Sequence, residues 1–425
     1  MKTKYKKYSK YKNSGVEWLG QIPESWEILP AKRVHNYKKE ININKKCNNV
    51  LSLTLRGVVN NNPDSPEGMI PKDYGTYQIF NKDNIVFKLI DLENVRTSRV
   101  GIVHQKGIMS SAYIRLETGI KSLPKYTYYY YYNLYLNEVY NNLGSGVRST
   151  LGPNDLLNLE FITPPLSEQT AIANFLDEKT SKIDQAIKQK QKLIALLKER
   201  KQIVIQNAVT GKFSMVNGKL LIVNEGKPIK TKHSGVEWIG EIPEHWQVKK
   251  FKYLCHITTG AKNTEDKVEN GRYPFFVRSQ TAEKINSYSF DGEAILTAGD
   301  GAGVGKVFHY VNCRFDFHQR VYMFSNFKNI EGKLLFFYLR NTFHNVALTG
   351  EAKSTVDSLR LPLIQNFMVT IPPLIEQKAI VSYIEKETDK IDKAINLQEQ
   401  QIEKLKEYKT TLIDSAVTGK IMVNF

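Results

Sequence analysis

PPLSEQTAIANFLDEKTSKIDQAIKQKQKLIALLKERKQIVIQNAVTGK, residues 164–212, returns as PPLIEQKAIVSYIEKETDKIDKAINLQEQQIEKLKEYKTTLIDSAVTGK at 372–420. Twenty-four of the 49 positions are identical, at a constant offset of 208. A second segment also recurs: SGVEWLGQIPESW at 14–26 comes back as SGVEWIGEIPEHW at 234–246. The stretches between, 27–163 and 247–371, differ in length and share little sequence. The chain is therefore one internal duplication with constant and variable parts. Its period is far too long for a solenoid, so the repeated unit is a domain followed by helices.

Within 164–212 the pattern predicts two helices. Pro164-Pro165 and Pro372-Pro373 stop whatever strand precedes them. A short amphipathic helix follows, with Ile172, Phe175 and Leu176 (Ile380, Tyr383 and Ile384) on one side. Ser181 or Asp389 then caps a long helix, with Asp184 or Asp392 in its first turn. Along it Ile183, Ile187, Ile194, Leu197, Val204 and Ala208 keep a 4-3 spacing, repeated by Ile391, Ile395, Ile402, Leu405, Leu412 and Ala416. That is a coiled-coil seam, interrupted by Lys190 and Lys201 (Gln398 and Lys409). Gly211 and Gly419 sit where a helix ends in a left-handed residue. Such a stripe can pack on its own domain, but two matched copies point to a mutual pair. The polar seam positions leave parallel and antiparallel both open.

The variable parts read as mixed α and β. In the first, 50–59, 76–90 and 99–116 are strand-like, and 124–142 is a helix opened by Pro124. In the second, strands at 273–280, 293–298, 304–310 and 313–324 precede a helix at 331–347. The expected fold class is α+β: two globular mixed domains joined by two long helices, with an internal pseudo-twofold repeat. The expected domains are a flexible basic arm at 1–13, recognition domains at 14–163 and 234–371, helical regions at 164–212 and 372–425, and a linker at 213–233.

The composition narrows the function. The 425 residues carry 60 Lys+Arg against 43 Asp+Glu, a net charge of +17. Charge of that sign calls for a polyanion, most simply nucleic acid. No run of 18 apolar residues exists, so no membrane partner is expected, and three scattered cysteines suit the cytoplasm. The constant helical segments carry only +4 and −1. The remaining charge lies in the N-terminal lysines, interleaved with Tyr5, Tyr8 and Tyr11, and in the variable domains. Candidate DNA contacts in the first variable domain are Arg56, Lys72, Lys88, Arg96, Arg99, Arg148 and Ser149. In the second they are Lys262, Arg272, Arg278, Gln280, Lys306, Arg314, Arg320, Lys353 and Ser354. The glycine-containing loops GSGVRST at 144–150 and TGEAKST at 349–355 read equally well as DNA-contacting loops or as plain helix ends.

Catalytic motifs are not expected. GAGVGK at 301–306 is no phosphate loop, because Asp300 replaces the first glycine and Val307 follows the lysine. It reads instead as a tight hairpin near DNA. His309, Cys313, Asp316 and His318 alternate between strand faces, so no metal site is expected. The Pro-Pro pairs follow Thr163 and Ile371, not the Asn or Asp of an adenine methyltransferase motif. The tyrosines from Tyr126 to Tyr135 match Leu334–Leu339 of the second half and read as core, not as a base-stacking platform. Trp18, Trp26, Trp238 and Trp246 read as a shared structural clasp.

Two variable domains between SGVEW-x-G-x-IPE-x-W and PPL-x-EQ…ID-x-AI…AVTGK resemble the specificity subunits of type I restriction–modification systems. The resemblance covers nearly the whole chain. It implies that each variable domain reads one half of a bipartite, gapped target in double-stranded DNA. It also implies that the helices form an antiparallel coiled coil that sets the gap and docks two modification subunits. Insertions near Lys212 are then expected to lengthen that gap. Two restriction subunits complete the complex, and the chain itself is no enzyme. S-adenosylmethionine, ATP and Mg are expected on the partner subunits, and no cofactor or metal on this one. The alternatives are a stand-alone two-headed DNA-binding or architectural protein, and a coiled-coil scaffold binding RNA or acidic partners through its charge.

Overall fold

The structure is a computed structural model that describes residues 5–61, 73–90, 92, 99–141, 143, 150–216, 219–222, 230–344 and 358–423. The chain divides into two compact units that do not follow sequence order: residues 1–190 with 400–425, and residues 191–399.

In unit 1 four strands lie in the spatial order His35–Tyr37, Ile114–Thr118, Ile85–Phe87, Val100–Ile102, all antiparallel. The inner strand Ile85–Phe87 is apolar throughout because both its faces are covered. Ile85 and Phe87 face the helix Pro124–Leu136, and Val86 faces a layer holding Leu51 and Leu53 of the hairpin Leu51–Thr54/Gly57–Asn60. The strand Glu160–Thr163 pairs with Glu27–Pro30, which brings the end of the variable region back to its start.

Unit 2 repeats this strand order. His256–Thr259, Val321–Ser325, Phe290–Ala298 and Phe308–Phe317 lie side by side, extended by Tyr273–Phe276 and Glu283–Ile285. Alternation again divides the faces: Ile295 turns to the helix Gly332–Thr342, whereas Ala294 and Leu296 turn to Phe276, Phe315 and Phe317. The two strands expected at 304–310 and 313–324 are instead Phe308–Phe317 and Val321–Ser325, with the break moved from 311–312 to the turn at 318–320. Asn312 and Cys313 look like a turn in sequence but pair fully with Glu293 and Gly292.

Each constant helical segment is a single 44-residue helix, Leu166–Val209 and Leu374–Val417. The expected break before Ser181 does not occur. With no Gly or Pro to interrupt it, the turn stays helical, supported by Glu178 pairing with Lys179 and Lys182. The buried stripe runs straight through from Ile172 and Leu176 to Ile183. Asp184 and Asp392 are thus mid-helix residues with a different role. In unit 1 Lys409 Nζ donates to both oxygens of Asp184 at 2.7 Å. In unit 2 Lys201 makes the same contact with Asp392 at 2.6 and 2.7 Å. Lys190 donates to Gln401, so in unit 1 the partner numbers rise as the helix numbers fall, and the two helix portions run antiparallel. Of the seam residues, Ile183, Ile391, Ile395, Ile402 and Leu412 are buried, and Ile187, Ile194, Leu197, Val204 and Leu405 are half-buried.

The constant motifs form one clasp, built twice. Trp26 is fully buried and donates its indole N–H to Glu168 at 2.9 Å; Trp246 does the same to Glu376 at 2.9 Å. The next residue, Gln169 or Gln377, is also fully buried. Its amide takes the backbone N–H of Leu123 or Glu331, just ahead of the aromatic helix, and donates to Lys121 or Asn329. The tail of the other repeat's helix closes each core. Ile413, Ala416 and Val417 join Trp26 in unit 1, and Ile205, Ala208 and Val209 join Trp246 in unit 2. The terminal glycines Gly419 and Gly211 have φ of +74° and +78° and press so close to Pro23 and Pro243 that a Cβ would lie 2.4 Å from the ring. The described part of the basic arm packs on the clasp. Tyr8 donates to Glu168 at 2.7 Å, Tyr11 to the Gly419 carbonyl at 3.1 Å, and residues 11–13 pair with 21–23. The linker region contains a hairpin, Phe213–Val216 with Lys219–Ile222.

Candidate nucleic-acid interface

Four loops of unit 2 meet around Asp300. They carry Lys262, Arg278 with Gln280, the 299–306 turn, and Arg320. Asp300 receives Arg278 Nη1 on one carboxylate oxygen at 2.8 Å and Arg320 Nη1 on the other at 2.7 Å. Burial works against ionisation of Asp300, but the two guanidiniums outweigh it and hold the carboxyl below the usual range. Gln280 donates its side-chain amide to the Lys306 carbonyl at 3.0 Å, and Gln319 donates its backbone N–H to the Lys262 carbonyl at 2.8 Å. Beneath them His318 is buried, and its Nδ1 accepts the Arg320 N–H at 3.0 Å. Burial and then the neighbouring arginines push the His318 pKa down, so the ring stays neutral.

The glycines of this turn are explained by the approach of the loops. Gly299 donates to the Arg320 carbonyl at 2.8 Å, and a Cβ there would lie 2.9 Å from the same oxygen. A Cβ on Gly303 would lie 2.7 Å from the Arg278 carbonyl. The 299–306 turn is therefore the backbone seat of two arginines, with Gly303 of GAGVGK against Arg278 and Gly299, just before it, against Arg320.

The other sequence candidates divide three ways. Arg272 and Arg314 are exposed but stand apart from the Asp300 group: Arg314 pairs with Asp291 at 2.8 Å and lies over Tyr288. In unit 1 Arg56 is exposed at the hairpin turn after Thr54, and Lys88 is half-buried. Arg99 is corrected from contact to core residue. It is 2% exposed, over the ring of Tyr135, and has no face to offer DNA. Lys72, Arg96, Arg148, Ser149, Lys353 and Ser354 lie outside the described residues. Sequence reasoning missed Asp300, because a carboxylate in a basic protein gives no sign that it organises cations. It also missed Arg115, fully buried and paired with Glu117 at 2.6 Å. Tyr126, Tyr130 and Tyr131 are fully buried in the unit 1 core, with Tyr130 donating to the Glu160 carbonyl at 2.6 Å.

The type I restriction modification DNA specificity domain matches the chain twice, over residues 26–196 and 243–407. The chain belongs to this family. Among its relatives, the MjaVIII type I restriction enzyme specificity subunit of Methanocaldococcus jannaschii is 26% identical over 95% of this chain and 94% of its own length. The EcoDI specificity subunit of Escherichia coli is 25% identical over 43% of this chain, and the match spans only 40% of that subunit. Among solved structures, a chain from a study of type I R-M complex assembly superposes with a TM-score of 0.70, covering 93% of this chain and 98% of that one at 13% identity. The HsdS subunit of Thermoanaerobacter tengcongensis gives 0.51 over 94% and 98% at 14% identity. These likenesses bear on the fold: a duplicated α+β architecture with two long helices. Among the described residues no helix is long and apolar enough to cross a membrane.

Proposed function

We propose that this chain is the DNA-specificity subunit of a cytoplasmic type I restriction–modification complex. Each unit reads one half of a bipartite target in double-stranded DNA, and the helices set the unspecified gap. The subunit is not itself catalytic. Two modification subunits bring S-adenosylmethionine, and two restriction subunits bring ATP-driven, Mg-dependent cleavage. One observation carries this reading: two units share a strand order and a Trp–Glu clasp, while among the described residues the arginine–carboxylate group on the loops of unit 2 is not repeated at the matching positions of unit 1. The Arg278–Asp300–Arg320 group of unit 2 has no counterpart at Ile90 and Ala112, which hold the matching backbone positions of unit 1. A scaffold kept constant under changed loops is what modular base recognition requires. Replacing 27–163 by another recognition domain is expected to change one half of the methylated motif and leave the other intact, as sequencing of methylated adenines in the host genome reads directly. Simultaneous change of both halves would sink the modular reading.

A further inference from the structure

Arg278 and Arg320 lie 22 and 20 residues from Asp300 in sequence, on different loops, yet each places one Nη on its own oxygen of that carboxylate. The Asp300 side chain is 14% exposed, whereas those of Arg278 and Arg320 are 42% and 59% exposed. The carboxylate is thus sunk between the loops and the cations stand out to solvent. Among the described residues neither guanidinium makes another hydrogen bond, so Nε and Nη2 of both are free to meet a ligand. Pairs this exposed add little to stability. The chain nonetheless shapes two glycine positions around them, with Gly299 against the Arg320 carbonyl and Gly303 against the Arg278 carbonyl. A cleft of about 320 Å³ opens beside Arg278 and Asp300, bordered by Thr264 and Gly303.

We propose that Asp300 aims Arg278 and Arg320 at guanine edges in the major groove, so that the half-site read by unit 2 contains guanine; this rests on the DNA-specificity reading above. Two considerations favour a base edge over a phosphate. A carboxylate between two cations lowers their combined charge and repels an approaching phosphate, while leaving the attraction of a neutral base edge largely intact. It also fixes the direction of each fork, which reading one base edge demands and a sequence-independent contact to the backbone does not. Guanine follows because O6 and N7 present the two acceptors that an arginine fork fits. Lys262 and Lys306, unpaired by any carboxylate among the described residues, suit the flanking phosphates. Asp300 is then a positioning residue that touches no DNA itself.

The test is selection from random duplexes by the full-length chain as purified with its modification subunits, at fixed salt. The wild type is expected to select guanine in one half-site. Arg278→Ala and Arg320→Ala should each lose about tenfold or more of the preference at one guanine, with the other half-site unchanged. Arg278→Lys should fail at the same position, since an ammonium makes no fork. Replacing that guanine by 7-deazaguanine should weaken the wild type and leave Arg278→Ala unaffected. Asp300→Asn should relax both guanine positions together. Lys306→Ala should weaken all duplexes alike and flatten the salt dependence. Half-sites without guanine, or arginine variants that weaken every duplex equally at unchanged melting temperature, overturn the proposal and leave the DNA-specificity reading standing. A wild type with no sequence preference removes that reading, and the guanine assignment with it.

Discussion

His35 opens the first strand of the unit 1 sheet with its ring 2% exposed, edge-on to Phe161 at 4.5 Å and near Tyr131. Among the described residues neither ring nitrogen has a hydrogen-bond partner. Burial pushes its pKa down to about 3 from an unfolded value of 6.5. The unfolded chain therefore binds the proton first, and stability present above about pH 6.5 is lost as pH falls towards 3. Between pH 7 and pH 5 the loss is about 2 kcal/mol if unit 1 unfolds cooperatively. His35→Phe is expected to remove that slope, which thermal melts at the two pH values will show. A melt equally steep in pH for the variant would assign the acid sensitivity elsewhere. Nothing in the sequence marks this histidine, because its isolation depends on Phe161, 126 residues away. Asp300 is hidden for the same reason. The one local trace of its role is the alternation of Gly299, Gly301 and Gly303 around it, legible as a need for close approach but not as to what approaches.

At the scale of elements, the constant helices were the most legible part of the chain, since an apolar position every three or four residues implies a buried stripe whatever it packs on. Their polar interruptions were less so. Lys201 and Lys409 read as gaps in a seam, and Asp392 and Asp184 as first-turn acids; only the folded chain shows that they are partners. That pairing fixes register, because Lys409 reaches Asp184 only when the helices run antiparallel with this offset. Lys409→Asp is expected to destabilise unit 1 by about 0.5–1 kcal/mol through like-charge contact, and adding Asp184→Lys should recover most of it. A double-mutant cycle by denaturant melts measures this coupling. If the double variant is no better than the single, the bridge does not set the register.

For the whole molecule, the chain leaves unit 1 after Lys190, and it leaves unit 2 after Glu399. Seven residues inserted at both points, 190/191 and 399/400, keep the heptad pattern and add about 10.5 Å to each helix, close to three base pairs. The unspecified gap of the methylated motif is expected to grow by about that amount, with both half-sites kept. An active complex with an unchanged gap would remove the helices as the ruler. Insertion after Lys212 is now expected to leave the gap unchanged, contrary to the sequence reading. Val209 is already held by Thr370 at 2.9 Å, and Gly211 is set against Pro243 and Trp246, so added residues only lengthen the hairpin that follows.

The closing of unit 1 by Leu412, Ile413, Ala416, Val417 and Ile421 has a consequence for how the protein is made. The domain whose sequence leaves the ribosome first is the last that can be completed, because part of its interior is translated some 250 residues after Phe161. Throughout that interval Trp26, Tyr126 and Phe161 lack the apolar surface that covers them in the finished chain. A premature stop near residue 404 would therefore do its damage at the opposite end of the sequence. Until those last residues are made, the incomplete first domain leaves apolar surface open, the state that chaperones and proteases act on.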